Sequence, residues 1–136
     1  MERLKHSFLI SDRLQRHVNC LLYHGSMYGI YNSNLVCHAS VPVNEDGSLR
    51  EVLVGNVKAK GQALMERIDQ MVRTAFDTEA DADERSQARD YFWYLWCGPD
   101  SPLFDKSKMS TFERYFVADK ETHNEKKGWY YTLRDN

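Results

Sequence analysis

Apolar residues recur at helical spacing in three stretches of the chain, with short strand-like runs between the first two. Leu14, Val18, Leu21 and Leu22 share one face of a helix that Ser11 or Asp12 would cap and Gly25 would stop, with Arg13, Arg16 and Asn19 opposite. Residues 27–31 then read as a strand, Asn32, Ser33 and Asn34 as a turn, and Leu35 to Ser40 as a buried returning strand, a hairpin that delivers His38 at its end. A polar turn at Asn44, Glu45, Asp46 and Gly47 leads into a short third strand over 50–54. After Gly61, a second helix carries Leu64, Ile68, Met71, Val72 and Ala75 as one apolar stripe. The acidic link 77–83 has turn and N-cap chemistry, and a third helix over 83–96 is stopped by Gly98 and Pro99. Its end, from Tyr91 to Trp96, is apolar on every side, so it must be buried all round or docked on something else.

Beyond it, Ser110, Thr111, Phe112 and Glu113 match a capping box opening a helical turn through Phe116. Residues 119–127 are polar and nearly charge-balanced, a loop or a solvated helix, and residues 128–133 bring aromatics back. An aromatic cluster so close to the last residue suggests a boundary imposed on a longer sequence. No internal repeat, low-complexity tract or Gly/Ser/Pro linker divides the chain. The pattern predicts an α+β chain forming a single partial domain. Residues 1–60 supply a helix and a small antiparallel sheet, 61–118 a helical insertion, and 119–136 a polar and aromatic tail.

Composition changes this picture little. The 136 residues are 42% hydrophobic and 12% aromatic, enough for a real core in one domain. With 18 basic against 20 acidic side chains the net charge is −2, so no whole-chain field attracts nucleic acid or an acidic membrane. The N-terminal residues lack the apolar core of a signal peptide, and no stretch approaches the about 20 apolar residues of a membrane span, which points to a soluble cytoplasmic protein. Cys20, Cys37 and Cys97 form no Cys-x-x-Cys pair; their apolar sequence neighbours suggest buried free thiols in a reducing compartment.

The residue with the most chemistry is His38, which closes an apolar run and precedes a small residue and a Ser40-Val41-Pro42 exit. Strand ends commonly aim an imidazole into a metal site, but a lone histidine there is more often a hydrogen-bonded core residue. The string from Ser26 to Gly47 resembles the corresponding segment of the class III (Firmicutes-type) fructose-1,6-bisphosphatases. The resemblance continues through Tyr94 to Gly98, Ser101 to Phe104, Met109 to Phe116, Asp119 to His123, Glu125 to Lys127, and Tyr130 to Arg134. It covers nearly the whole chain in order.

That resemblance implies part of a calcineurin-like metallophosphoesterase sandwich, in which Asp, Asn and His side chains hold two divalent ions, usually manganese. Two such ions about 4 Å apart generate a hydroxide at neutral pH and clamp phosphate oxygens during in-line attack. His38 matches the family's strand-end histidine, a ligand to one ion, whereas Ala39 stands where the family pattern usually has glycine. No Asp-x-His pair, Gly-Asp-x-x-Asp-Arg string, Gly-Asn-His-Asp string or Gly-His-Thr-Pro string is present, and Gly55-Asn56 is followed by Val57. Hard divalent ions want about six ligands. This chain alone is therefore expected to bind no metal tightly and to have little or no phosphatase activity. The intact enzyme would convert fructose 1,6-bisphosphate to fructose 6-phosphate and phosphate in gluconeogenesis.

Arg114, Lys126, Lys127 and Arg134 have two readings: sugar-phosphate contacts in the intact enzyme, or surface charge paired with Glu113, Glu121, Glu125 and Asp135, which ordinary charge balance favours. His123 reads as a solvent-exposed polar residue, and His17 and His24 as packing or surface residues. The Tyr91 to Trp96 run is a partner-binding hot spot, the core of a helical subdomain, or a contact between copies of the chain. A reading from another class makes the whole chain a non-catalytic interaction or structural module whose helices bind another protein.

Overall fold

In a computed structural model of the chain, residues 2–38 and 40–134 are described. The chain runs α1 (Glu2–Leu9), α2 (Asp12–His24), β1 (Tyr28–Tyr31), β2 (Asn34–Cys37), β3 (Val52–Val54), β4 (Val57–Ala59), α3 (Gly61–Phe76), α4 (Ala82–Cys97), α5 (Thr111–Phe116), a 3₁₀ turn (Lys120–His123) and α6 (Trp129–Arg134). The strands form two separate antiparallel ladders, β1 with β2 and β3 with β4, where the sequence suggested one sheet. β4 escaped notice because three residues carry too little alternation to register as a strand.

The core lies between α3, α4 and the β3–β4 hairpin. Val54, Leu64 and Ile68 are fully buried and Leu95 is 1% exposed, with Met71, Val72, Tyr91 and Tyr94 packed around them. The α3 stripe inferred from spacing is the stripe that packs. Gly61 opens this helix at φ +56°, and a β-carbon there would come within 2.9 Å of the Leu49 side chain. Both the left-handed backbone and the tight approach therefore call for glycine at this position.

Asn32 and Ser33 both have positive φ, the mirror-image turn whose twist matches that of the strands it joins. This sets the β1–β2 register, with Tyr31 opposite Asn34 and Tyr28 opposite Cys37. The hairpin is anchored to α3 through Asp69, whose two carboxylate oxygens accept from Ser26 Oγ and the Met27 N–H, each at 2.9 Å. Arg73 reaches the Gly25 carbonyl at 3.0 Å beside them.

Several expectations change. α2 begins where Ser11 predicts, its hydroxyl accepting from the Leu14 N–H, but its stripe is only partly covered: Val18 and Leu22 are half-buried, Leu21 is 71% exposed, and no described residue of α1 or α2 is fully buried. α1 itself has no counterpart in the sequence reading. β2 is not a buried strand; Asn34, Leu35 and Val36 are exposed. The aromatic end of α4 is buried on one side only, with Leu95 inward and Trp93 71% exposed. Cys20 and Cys97 are exposed and Cys37 half-buried, because their apolar sequence neighbours lie on faces that the described residues leave uncovered. No helix among the described residues is long and apolar enough to cross a membrane.

The capping box is not made. Ser110 precedes α5, but its hydroxyl donates away from the helix, and no side-chain cap bond forms. The expected tail folds back: Lys106 and Lys127 form a β-bridge, the Ser107 N–H donates to the Lys126 carbonyl at 2.8 Å, and the Gly128 N–H to the Asp105 carbonyl at 2.7 Å. The aromatic run near its end forms α6.

Candidate functional site

His38 follows β2 immediately and is exposed, at the edge of a shallow cavity of about 280 Å³ that Ser26, Tyr28, Val36 and Cys37 help to line. Its imidazole is nevertheless held. Nδ1 lies 2.8 Å from the Leu103 carbonyl oxygen, and the ring meets Phe104 edge-on with centroids 5.9 Å apart. A carbonyl only accepts, so the neutral ring carries its proton on Nδ1 and keeps a lone pair on Nε2. Metal-binding histidines are typically oriented in this manner. Among the described residues no group of three or more His, Cys, Asp or Glu side chains comes together. The chemistry present thus fits one ligand position and does not by itself fit a two-ion centre. Ala39, whose substitution for glycine bears on that position, lies outside the described residues.

Asp105, next to Phe104 in sequence, and Ser40 form a buried polar corner. Asp105 is 3% exposed and Ser40 1%; Asp105 Oδ2 and Ser40 Oγ each lack a hydrogen-bond partner, although the hydroxyl is near enough to favour the carboxylate's charge. Burial pushes the Asp105 carboxyl above its ordinary range, and Arg50, itself 3.9 Å from Asp100, pulls it back. The Asp105 side chain lies over Gly128, where a β-carbon would fall 2.1 Å from Oδ1, so only glycine fits.

The four basic candidates do not converge as a set. Arg114 is drawn to Glu125 at 3.6 Å, and Lys126 sits over Trp129, 5.8 Å from the ring centroid. Lys127 and Arg134 are brought to one ring, 5.6 and 5.3 Å from the Tyr131 centroid. Of the acidic partners expected, Glu125 is the one that pairs with Arg114; Asp135 lies outside the described residues. His123 is half-buried rather than solvent-exposed, its Nε2 2.9 Å from the Val117 carbonyl, because the 3₁₀ turn packs against α5. His17 and His24 are exposed.

Glu125 was missed as an organising residue. Its carboxylate accepts from Lys106 Nζ at 2.6 Å and from the Ser110 N–H and Oγ at 2.9 Å each. No periodicity links residues 19 positions apart, so nothing in the pattern signals the pair. The Lys106 hydrogen bond, then those from Ser110, hold the Glu125 carboxyl at about 2 against an ordinary 4.5. A depressed carboxyl stabilises the fold fully above its unfolded value and stops doing so as pH falls through the folded one. The stability difference between wild type and Glu125→Gln should therefore shrink as pH drops from about 4.5 toward 2. Urea midpoints across that range test this, and a difference independent of pH would refute it.

The sequence model of the family described as Firmicute fructose-1,6-bisphosphatase matches residues 1–136. Curated relatives named fructose-1,6-bisphosphatase class 3 include one from Bacteroides fragilis, 53% identical over 135 residues, which are 99% of this chain and 20% of the relative. One from Porphyromonas gingivalis is 53% identical over 134 residues, 98% of this chain and 20% of the relative. One from Clostridium acetobutylicum is 49% identical over 136 residues, 100% of this chain and 20% of the relative. No solved structure matches. The chain spans about a fifth of the length of the curated relatives it matches. By the match over its whole length, the chain belongs to the Firmicute fructose-1,6-bisphosphatase family.

Proposed function

We propose that this chain supplies one part of a fructose-1,6-bisphosphatase, a cytoplasmic gluconeogenic enzyme that hydrolyses the 1-phosphate of fructose 1,6-bisphosphate to leave fructose 6-phosphate. Family membership across residues 1–136 carries the proposal. Within it, His38 offers Nε2 to one of two divalent ions, manganese by resemblance, and the hairpin that delivers it is an edge of a metallophosphoesterase sandwich. When bound, the ions would provide a hydroxide and neutralise charge on the phosphoryl group. The part played by this chain's own residues is to place an imidazole. Leu103 and Phe104 restrain the ring, and Asp69 fixes the start of the hairpin.

Lys127 and Arg134, brought together on the Tyr131 ring, are the pair of cations we assign to a sugar phosphate. Trp93 and Trp96, exposed on α4, form a contact with a second copy of the enzyme.

The test is phosphate release from fructose 1,6-bisphosphate with manganese, comparing residues 1–136 with a polypeptide of the relatives' full length containing them. The longer polypeptide should turn over at an ordinary enzymatic rate of about 1–1000 per second, and residues 1–136 at background. An inactive longer polypeptide removes the phosphatase reading; a fully active short one removes the view that the remaining ligands come from elsewhere.

A further inference from the structure

His38 is gripped by a turn 65 residues away, and that turn is fixed from several sides. Ser101 is wholly buried; its hydroxyl donates to the Leu95 carbonyl at 2.6 Å and accepts from the Leu103 N–H at 3.3 Å. The Ser101 carbonyl in turn accepts from the Phe104 N–H at 3.0 Å and the Asp105 N–H at 2.7 Å. The Phe104 N–H and the Leu103 C=O belong to one planar peptide unit. Fixing the first aims the second, so the oxygen facing His38 Nδ1 has little freedom to swing away. Asp105 closes the turn at φ +47°, a conformation non-glycine residues adopt when their surroundings over-determine it.

We propose that Ser101 is the positioning residue for His38: its hydroxyl, bridging the Leu95 carbonyl and the Leu103 N–H, holds in place the turn that aims the Leu103 carbonyl, and so selects the Nδ1–H tautomer and turns the Nε2 lone pair outward. The value of that outward lone pair rests on the reading of His38 as a ligand; the tautomer does not. α4, which packs on α3 through Leu95, thereby acquires a second task, because its Leu95 carbonyl is the fixed point against which the Ser101 hydroxyl is set. The cradle supplies no ligand and touches no substrate; its action is entirely through the histidine.

The readout is the tautomer of His38, from nitrogen-15 chemical shifts of the histidine-labelled chain at a pH where the imidazole is neutral. The wild-type chain should show His38 as Nδ1–H, against the Nε2–H preference of free histidine. Ser101→Ala should move it toward the free mixture. Ser101→Cys, which fills the same space with a weaker donor, should move it partway, and Ser101→Thr should restore it. In the longer polypeptide, Ser101→Ala should lower kcat by about 10–100-fold with little change in KM, the usual cost of losing support behind a metal-bound histidine, and Ser101→Thr should recover most of it. A wild-type His38 already in the Nε2–H form, or a tautomer unmoved in both Ser101→Ala and Ser101→Cys, overturns the proposal. A moved tautomer together with a fully active His38→Ala enzyme keeps the positioning role and discards the ligand role instead.

Discussion

Replacing Ile68 with alanine should lower the free energy of unfolding by about 2–5 kcal/mol, the range for deleting a large aliphatic side chain from a packed interior. Ile68 is fully buried in α3 among Val54, Leu64 and Leu95, and these four make up the innermost cluster. Three methylene or methyl groups removed there lose their transfer energy and leave a hole that two helices and a hairpin would have to close together. Domains have only about 5–15 kcal/mol in total, so the variant would be close to unfolding at room temperature. Ile68→Val removes one carbon and should cost about 0.5–1.5 kcal/mol. Val72→Ala, at a half-buried position on the same stripe, should fall below the Ile68→Ala value. Urea unfolding with an unchanged slope measures all three. A loss under about 1 kcal/mol for Ile68→Ala would mean that α3 does not pack on α4 as described.

The second large effect concerns turnover. In a polypeptide of the relatives' full length, His38→Ala should reduce fructose 1,6-bisphosphate hydrolysis by at least about 100-fold, since losing support behind a metal-bound histidine already costs about 10–100-fold and the histidine itself should cost no less. Manganese content of the purified variant should fall in parallel, which separates loss of a ligand from loss of a substrate contact. His38→Gln retains some bulk and hydrogen bonding but offers no imidazole nitrogen, and should fare little better. Because His38 is exposed and contributes one hydrogen bond, to the Leu103 carbonyl, and ring packing with Phe104, the substitution should lower thermal stability only modestly. Activity and metal content both unchanged would end the ligand assignment.

What the sequence reveals here depends on how local the cause is. The α3 stripe was legible because its burial follows the helical period, and the β1–β2 turn because Asn32, Ser33 and Asn34 are turn-forming polar residues between two apolar runs. The α2 stripe was equally legible as a pattern but misleading as to burial, since periodicity marks a face suited to packing without saying what covers it. Ser110 looked like a helix cap from its spacing to Glu113, yet Glu125 and the His123 carbonyl compete for its hydroxyl and win.

The cradle around His38 was invisible for a different reason. Its main contact comes from a backbone carbonyl, which every residue possesses, and it is aimed by Ser101, whose role depends on a turn no motif predicts. The histidine itself could be singled out, from its place in the string and the resemblance that string carries. Which nitrogen it would present could not.

Each of the four strands has a ladder partner on one side only among the described residues. On the other side no ladder partner among those residues satisfies the peptide groups, and an extended polypeptide of matching spacing could pair with them. Both hairpins are thus half-woven fabric with raw selvedges, ready to be sewn to foreign thread as readily as to their own, and dilution will favour their remaining unstitched.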